Sequence, residues 1–174
     1  PLFPLWESQR FVLNRLAALE LRHHRDKHPD GLLINVLKSR QLGISTLAEA
    51  LVSHRIFTQS YIRAISGSDV EEQARYLFRM VERIYANLPW FIKPGKIVPY
   101  AAGREMHLDN LSSVKAAWGK TTRGALQETG GKKGNIERGC TNSCVHISEL
   151  ATWDNPEQLD QALLPGVPVS SDSL

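Results

Sequence analysis

The chain has 174 residues, of which 42% are hydrophobic, and its formal net charge is +3. This length predicts one domain with a proper hydrophobic core. The sequence contains no run of about 18 apolar residues, so no membrane-spanning helix is predicted. Cys140 and Cys144 have no companion ligands at zinc spacing, so we interpret both as reduced thiols of a cytosolic protein.

Positive charge is concentrated in the second half of the chain. Between residues 93 and 138, nine Lys and Arg residues stand against four Asp and Glu residues, a local charge of +5. Such an excess suits a polyanionic partner, and it is also compatible with a solvated surface. The basic loop 130–135 is a candidate contact for a phosphate backbone, with a surface loop as the alternative.

The first predicted elements are a helix, a strand and a second helix. Apolar residues at helical spacing between Phe11 and Leu19 predict the first helix, and a polar, histidine-containing turn follows it. The apolar run 32–37 predicts a short buried strand. Ser45 and Thr46 then open a segment with the apolar pattern of a helix.

The turn between this strand and this helix is a candidate anion site, because free N–H groups at a helix start point at a ligand. It fits the phosphate-loop pattern G-x-x-x-x-G-K-[ST] only in part. Gly43 and Ser45 match, whereas Lys38 stands at the first glycine and Ile44 at the lysine. The missing cation would come from Lys38 or Arg40. A basic connection without a ligand is the alternative interpretation.

The middle of the chain predicts a strand at 61–66 and then a helix that ends before Pro89 and has Phe78 and Val81 on its apolar face. Ser68 and Glu71 match a capping box at the start of that helix. Strands and helices in this order predict a βαβ arrangement and a mainly parallel sheet flanked by helices. Further short strands are predicted at 97–100, 105–108 and 113–118.

The last clear strand, 144–147, ends in Ser148 and Glu149. Ligands of α/β sheets bind at the carboxyl ends of the strands. If this strand neighbours the loop strand, Glu149 would face a γ-phosphate, where it would orient water and accept a proton. A surface salt bridge is the alternative. A short helix from Asn155 and a strand at 167–171 complete the prediction.

Taken together, these segments resemble the ATPase domain of the large terminase subunit, the DNA-packaging motor of tailed bacteriophages. Residues 38–46, KSRQLGIST, look like that family's variant Walker A, in which Arg-Gln precedes the glycine. Residues 145–153 look like its Walker B with the catalytic glutamate. Gln9 matches the family's adenine-recognition glutamine, and Arg123 with its following glycine is also typical.

The resemblance implies a RecA-like (ASCE) P-loop NTPase fold over residues 1–174, with a coupling motif and a nuclease domain beyond the chain. It implies that Glu149 activates water and that Arg40 or Arg123 offsets charge on the γ-phosphate. Mg²⁺ would be held by Ser45, Ser148 and Glu149. ATP would be bound by two segments, namely Gln9, Arg10, Lys38, Ser39, Arg40, Gln41, Leu42, Gly43, Ile44, Ser45 and Thr46.

Two residues depart from the family pattern: Ile44, where many members keep a lysine, and Ser148, which replaces the commoner aspartate. The partners implied are double-stranded DNA through backbone contacts, the portal protein, the small terminase subunit and further copies in a ring, all in the host cytoplasm. Two alternatives remain. One is another P-loop nucleic-acid ATPase or helicase-like domain, and the other is a degenerate nucleotide-binding module without activity.

Overall fold

The structure is a computed structural model that describes residues 5–26, 32–37, 42–97, 104–120 and 142–153. It is an α/β fold, in which helices pack on a five-stranded sheet. The helices are α1 (Glu7–Arg25), α2 (Ile44–Thr58) and α3 (Glu71–Ala86), and the strands are β1 (Arg63–Val70), β2 (Lys96–Ile97), β3 (Glu105–Leu108), β4 (Ser113–Lys120) and β5 (Cys144–Ile147). Two 3₁₀ turns lie at Trp90–Ile92 and Leu150–Thr152.

The sheet is mixed, with strand order β2-β3-β4-β1-β5. The central strand β1 pairs in parallel with β4 on one side and β5 on the other. β3 runs antiparallel to β4, and β2 runs antiparallel to β3. The expected mainly parallel sheet is therefore wrong, because two of the four strand pairings, β2 with β3 and β3 with β4, are antiparallel.

The cause of the antiparallel pairing is a tight turn between β3 and β4. Leu108 N donates to Ser112 O at 2.9 Å, and Leu111 N donates to Leu108 O at 3.0 Å. Leu111 holds a left-handed backbone with φ 64°. A connection this short can only join antiparallel strands, because a parallel pairing needs a crossover of a dozen or more residues.

The main core lies between one face of the sheet and the helices α2 and α3. Side chains alternate along β1, so Ala64 and Ser66 face the helices while Ile65 faces the other way. The predicted apolar face of α3 is confirmed, since Phe78 and its neighbours on that face are buried. The core residues are Val52, Ile56, Phe57, Ala64, Ala74, Phe78, Val81, Met106, Leu108, Val114, Ala116 and Trp118.

The opposite face of the sheet carries a smaller apolar cluster. It consists of Ile65, Ala117 and Trp153, with Val145 and Ile147 packed against it. Among the described helices, α2 and α3 contribute to the main core on the first face. The indole of Trp153 thus comes from the segment after β5 to cover part of the second face.

Helix α1 lies alongside α2 and runs in the same direction. Near its start, the Gln9 amide donates to Gly43 O at 2.9 Å, and near its end Glu20 forms an ion pair with Arg55. The predicted helix is confirmed. Its apolar stripe is only partly buried, because Phe11 remains 63% exposed.

The expected strand at 32–37 is wrong. The segment has neither helical nor strand structure, and none of the described strands pairs with it. Leu33 is exposed and Leu37 is 103% exposed. A strand requires a hydrogen-bonding neighbour and a buried face, and within the described residues this apolar run has neither.

The expected capping box at Ser68 is also wrong. β1 continues to Val70, which pairs with Lys120, so Ser68 lies inside the ladder and Val70 is the residue before α3. The Ser68 hydroxyl donates to Asp69 Oδ1 at 3.2 Å instead of capping a helix. The strand pairing has overridden the local motif.

The remaining strand predictions are largely confirmed. β3 and β5 have the predicted bounds, and β4 extends two residues beyond the predicted 113–118. β2 covers only the start of the predicted 97–100 strand, whose other residues lie outside the described part. The predicted helix from Asn155, the strand at 167–171 and the basic loop 130–135 lie outside it too.

Candidate functional site

The carboxyl ends of β4, β1 and β5 lie together at one edge of the sheet, called the carboxyl rim below. At the opposite edge, the Asn110 side-chain amide donates to Ile56 O at 2.8 Å and to Gln59 O at 2.9 Å. Asn110 lies just before β4, so α2 ends at the amino ends of the parallel strands. The start of α2, at Gly43, therefore faces the carboxyl rim.

Gly43 precedes α2 in a left-handed conformation, with φ 65° and ψ 15°. Its carbonyl accepts from Leu47 N at 3.0 Å, the first hydrogen bond of the helix. A Cβ at this position would lie 2.5 Å from Gln9 Nε2. Both the backbone angle and the close approach of the Gln9 amide explain why glycine stands here.

Gln9 links α1 to the start of α2 through hydrogen bonds of its side-chain amide. Its Nε2 donates to Gly43 O at 2.9 Å, and its Oε1 accepts from Trp6 N at 3.0 Å. The side chain is 4% exposed. Adenine recognition by Gln9 would require these bonds to exchange for bonds to the base. Arg10 follows with an exposed side chain.

The loop residues next to Gly43 have different environments. Ser8 Oγ donates to Leu42 O at 3.4 Å. Ile44 is 8% exposed, so the residue at the usual lysine position belongs to the protein interior. Ser45 is half-buried and Thr46 exposed in the first turn of α2. Five predicted site residues lie outside the described part of the chain: Lys38, Ser39, Arg40, Gln41 and Arg123.

Ser148 and Glu149 follow β5 at the carboxyl rim. Ser148 N continues the ladder by donating to Gly67 O at 2.9 Å, and Ser148 O accepts from Trp153 Nε1 at 3.3 Å. Glu149 has left-handed backbone angles, φ 57° and ψ 42°. Its carbonyl accepts from Thr152 N at 2.9 Å and from Thr152 Oγ1 at 2.8 Å. These bonds hold the turn that begins at Glu149.

The Glu149 side chain is exposed and makes no ion pair with any residue in the described ranges. A left-handed backbone in a residue other than glycine costs about 1 kcal/mol or more and is concentrated at functional sites. Glu149 thus combines an accessible carboxylate with a constrained backbone at the end of a parallel strand.

Oxygen donors available for a magnesium ion lie on this rim. The Ser45 hydroxyl is at the start of α2, and the Ser148 hydroxyl and the Glu149 carboxylate are at the end of β5. Hydroxyl and carboxylate oxygens suit Mg²⁺, which keeps several waters when it binds to protein and substrate phosphates. Within the described residues, no group of three or more His, Cys, Asp or Glu side chains is arranged to hold a metal ion.

A buried polar cluster lies beneath the rim and was not predicted from the sequence. It consists of Glu49 on α2, Ser66 on β1 and His146 on β5. Ser66 Oγ donates to Glu49 Oε2 at 2.7 Å, and His146 Nδ1 lies 2.7 Å from Glu49 Oε1. One feature of the sequence could have revealed it. Glu49 falls on the same helical stripe as Val52 and Ile56, where an apolar residue is expected.

No helix in the described part of the chain is both long and apolar enough to cross a bilayer.

Comparison with known proteins found no family model and no curated protein that matches the chain.

Proposed function

We propose that the chain is the ATP-hydrolysing motor domain of a viral terminase large subunit, which drives double-stranded DNA into a procapsid. The observation that carries the proposal is the common position of Gly43, at the start of α2, and Glu149, at the end of β5, on the carboxyl rim. Phosphoryl transfer to water needs donors for the phosphates and a group that orients the water at one place, and a carboxylate can serve as that group.

In the proposed mechanism, N–H groups at the start of α2 bind the phosphates, and the helix dipole favours their negative charge. Ser45 and Ser148, with Glu149, would hold Mg²⁺, which neutralises charge on the phosphate oxygens when bound. Glu149 would orient a water molecule towards the γ-phosphate and accept its proton. Arg40 or Arg123 would offset the charge that develops during transfer.

The partners proposed with this function are double-stranded DNA, held through its phosphate backbone, the portal protein and the small terminase subunit. Copies of the chain would form a ring in the host cytoplasm. Backbone contacts suit this task because packaging must tolerate any DNA sequence.

One observation favours a second candidate, a nucleotide-binding module without turnover. Ile44 is buried, so its position cannot supply the cation that a phosphate loop usually places there. The motor requires that Lys38 or Arg40 supply it. Turnover measurements on the chain therefore separate the two candidates.

The test is Glu149→Gln, which keeps the size of the side chain and removes the proton acceptor. We expect ATP turnover to fall by at least about 100-fold while binding of a non-hydrolysable ATP analogue stays within about threefold of the wild type. Steady-state ATP hydrolysis and calorimetric titration measure the two quantities. Double-stranded DNA is expected to stimulate the wild type more than single-stranded DNA does.

The matched control is Glu72→Gln, the same chemical change on an exposed residue in the first turn of α3. It is expected to leave turnover within about twofold of the wild type, since surface substitutions have small effects. Unchanged hydrolysis in Glu149→Gln would contradict the assignment of the water-activating carboxylate. Binding of ATP without turnover by the wild type would establish the second candidate, and stimulation by single strands alone would favour a helicase-like ATPase.

A further inference from the structure

The buried polar cluster joins the two elements that deliver the candidate site. Glu49 is 0% exposed, and its two carboxylate oxygens bind Ser66 on the central strand and His146 on the strand that ends in Glu149. A carboxylate taken out of water must keep its hydrogen bonds, because leaving it unpaired is costly. The register of α2 against β1 and β5 is therefore fixed at this point.

The cluster lies at about the same depth below the rim along both elements. Gly43 is six residues before Glu49, or about 9 Å along the axis of α2 at 1.5 Å per residue. Glu149 is three residues after His146, or about 10 Å at 3.3 Å per residue. α2 and β5 thus extend for similar lengths from the Glu49–His146 contact to the groups that would hold phosphate and activate water.

The geometry of the contact is specific. Apolar side chains tolerate a small slide of a helix over a sheet, whereas a hydrogen bond weakens steeply with distance and angle. For Glu49 to accept from His146, Nδ1 of the imidazole must carry the hydrogen. The 2.7 Å contact and the 2.7 Å bond from Ser66 then orient the carboxylate from two sides.

We propose that Glu49 and His146 are positioning residues that set the distance between the start of α2 and the carboxylate of Glu149. This inference rests on the function proposed above. Neither residue touches the substrate. They act through the placement of the two elements, because a displacement of about 1 Å at a catalytic site reduces turnover up to about 100-fold.

The test uses a triple variant, Glu49→Leu/Ser66→Ala/His146→Leu, which removes the polar contacts together. Replacing all partners by apolar groups avoids an unpaired buried charge, so the fold is expected to survive. We expect the kcat for ATP to fall about 10- to 100-fold and the KM to change by less than about threefold. Glu49→Gln/His146→Leu, which breaks the contact between α2 and β5, leaves no buried charge and keeps an acceptor for Ser66, is measured in parallel with the same expectation, in case the triple variant does not fold.

Rescue by a conservative variant distinguishes positioning from general stability. His146→Asn keeps an N–H donor near the position of Nδ1, and we expect its kcat to stay within about threefold of the wild type. The matched control is His107→Leu on β3, where the imidazole is exposed and pairs with Glu105 at 3.3 Å. This control is expected to keep the wild-type kcat and KM.

The outcomes separate this inference from the proposed function. If the wild type hydrolyses ATP and the folded triple variant or Glu49→Gln/His146→Leu does so at the same rate, the positioning role is wrong and the proposed function stands. A rise in KM with unchanged kcat would also overturn it, because the cluster would then affect binding alone. If the wild type neither binds nor hydrolyses ATP, the proposed function is wrong, and this inference, which rests on it, is wrong too.

Discussion

Two residues on the carboxyl rim hold left-handed backbone conformations, at φ 65° for Gly43 and φ 57° for Glu149. Gly43 adopts this conformation without steric cost, because it has no Cβ. Glu149 pays a conformational cost that its neighbours offset, since Thr152 donates two hydrogen bonds to its carbonyl. The strain therefore falls on the backbone of Glu149 and not on that of Gly43.

We expect Gly43→Ala to lower the free energy of unfolding by about 1–3 kcal/mol, because the new Cβ disfavours the left-handed conformation and meets Gln9 Nε2 at 2.5 Å. Urea denaturation measures the change. Gly95→Ala is the control, since Gly95 has no left-handed backbone and the nearest atoms to a Cβ there belong to the side chain of Asp109, which can move. A loss for Gly95→Ala as large as that for Gly43→Ala would contradict the role of the Gly43 backbone.

Cys144 gives the fold a pH dependence above neutrality. Burial raises the pKa of its thiol above the usual value near 9, and Glu49 and Glu20 add to this rise while Arg55 opposes it. The raised pKa means that the folded chain keeps the thiol proton at a pH where the unfolded chain has lost it. Stability from this group is therefore complete below pH 9 and is lost as the pH rises towards the folded-state pKa.

In measurements, the wild type should lose more unfolding free energy than Cys144→Ala between pH 7.5 and pH 10, by up to about 1.4 kcal/mol per pH unit above 9. Urea denaturation with a reducing agent at both values provides the comparison. Equal losses in the two proteins would show that the Cys144 thiol titrates alike in the folded and unfolded states.

At the scale of elements, α2 is held at both ends and in the middle. The buried polar cluster anchors its second turn, and Gln9 binds the carbonyl that starts it. At its end, the Asn110 amide donates to Ile56 O and Gln59 O, and Ser112 Oγ donates to Gln59 O at 2.8 Å. The last carbonyls of a helix have no partners within it, so these side chains satisfy groups that the helix cannot.

Asn110→Ala should therefore destabilise the fold by about 1–3 kcal/mol, because it removes two donors from the end of α2 and the acceptor for Ser112 N. Urea or thermal unfolding measures this. Gln59→Ala is the control, since it changes an exposed side chain and keeps the carbonyl that Asn110 binds. An effect of Asn110→Ala no larger than that of the control would mean that water replaces the amide at no cost.

Elements with a strong local pattern were predictable from the sequence. The apolar periodicity of α3 identified Phe78 and Val81 as core residues, and short apolar runs gave the bounds of β3 and β5. Where a local motif competed with strand pairing, as at Ser68, the sequence alone could not show that pairing extends to Val70.

For the whole molecule, the missed features depend on residues distant in the chain. The mixed sheet follows from which strands become neighbours, and no periodicity encodes that choice. The buried polar cluster joins Glu49 to a serine 17 residues away and a histidine 97 residues away. Of the candidate site, the sequence singled out Gly43 and Glu149, but it related them through a strand at 32–37 that the described chain does not form. Their common edge and the link beneath them required the three-dimensional structure.

The parallel pairing of β1 and β5 has a consequence for how the chain acquires its fold. Ala64 pairs with Cys144, and this closes a longer loop than the pairing of Ala64 with Val114 does. Loop closure of this kind has a high entropic cost and slows folding. Until Cys144–Ile147 leaves the ribosome, one edge of β1 has no partner among the described strands, and such edges recruit other chains. The strand that carries Glu149 to the rim therefore also covers the free edge of the central strand β1.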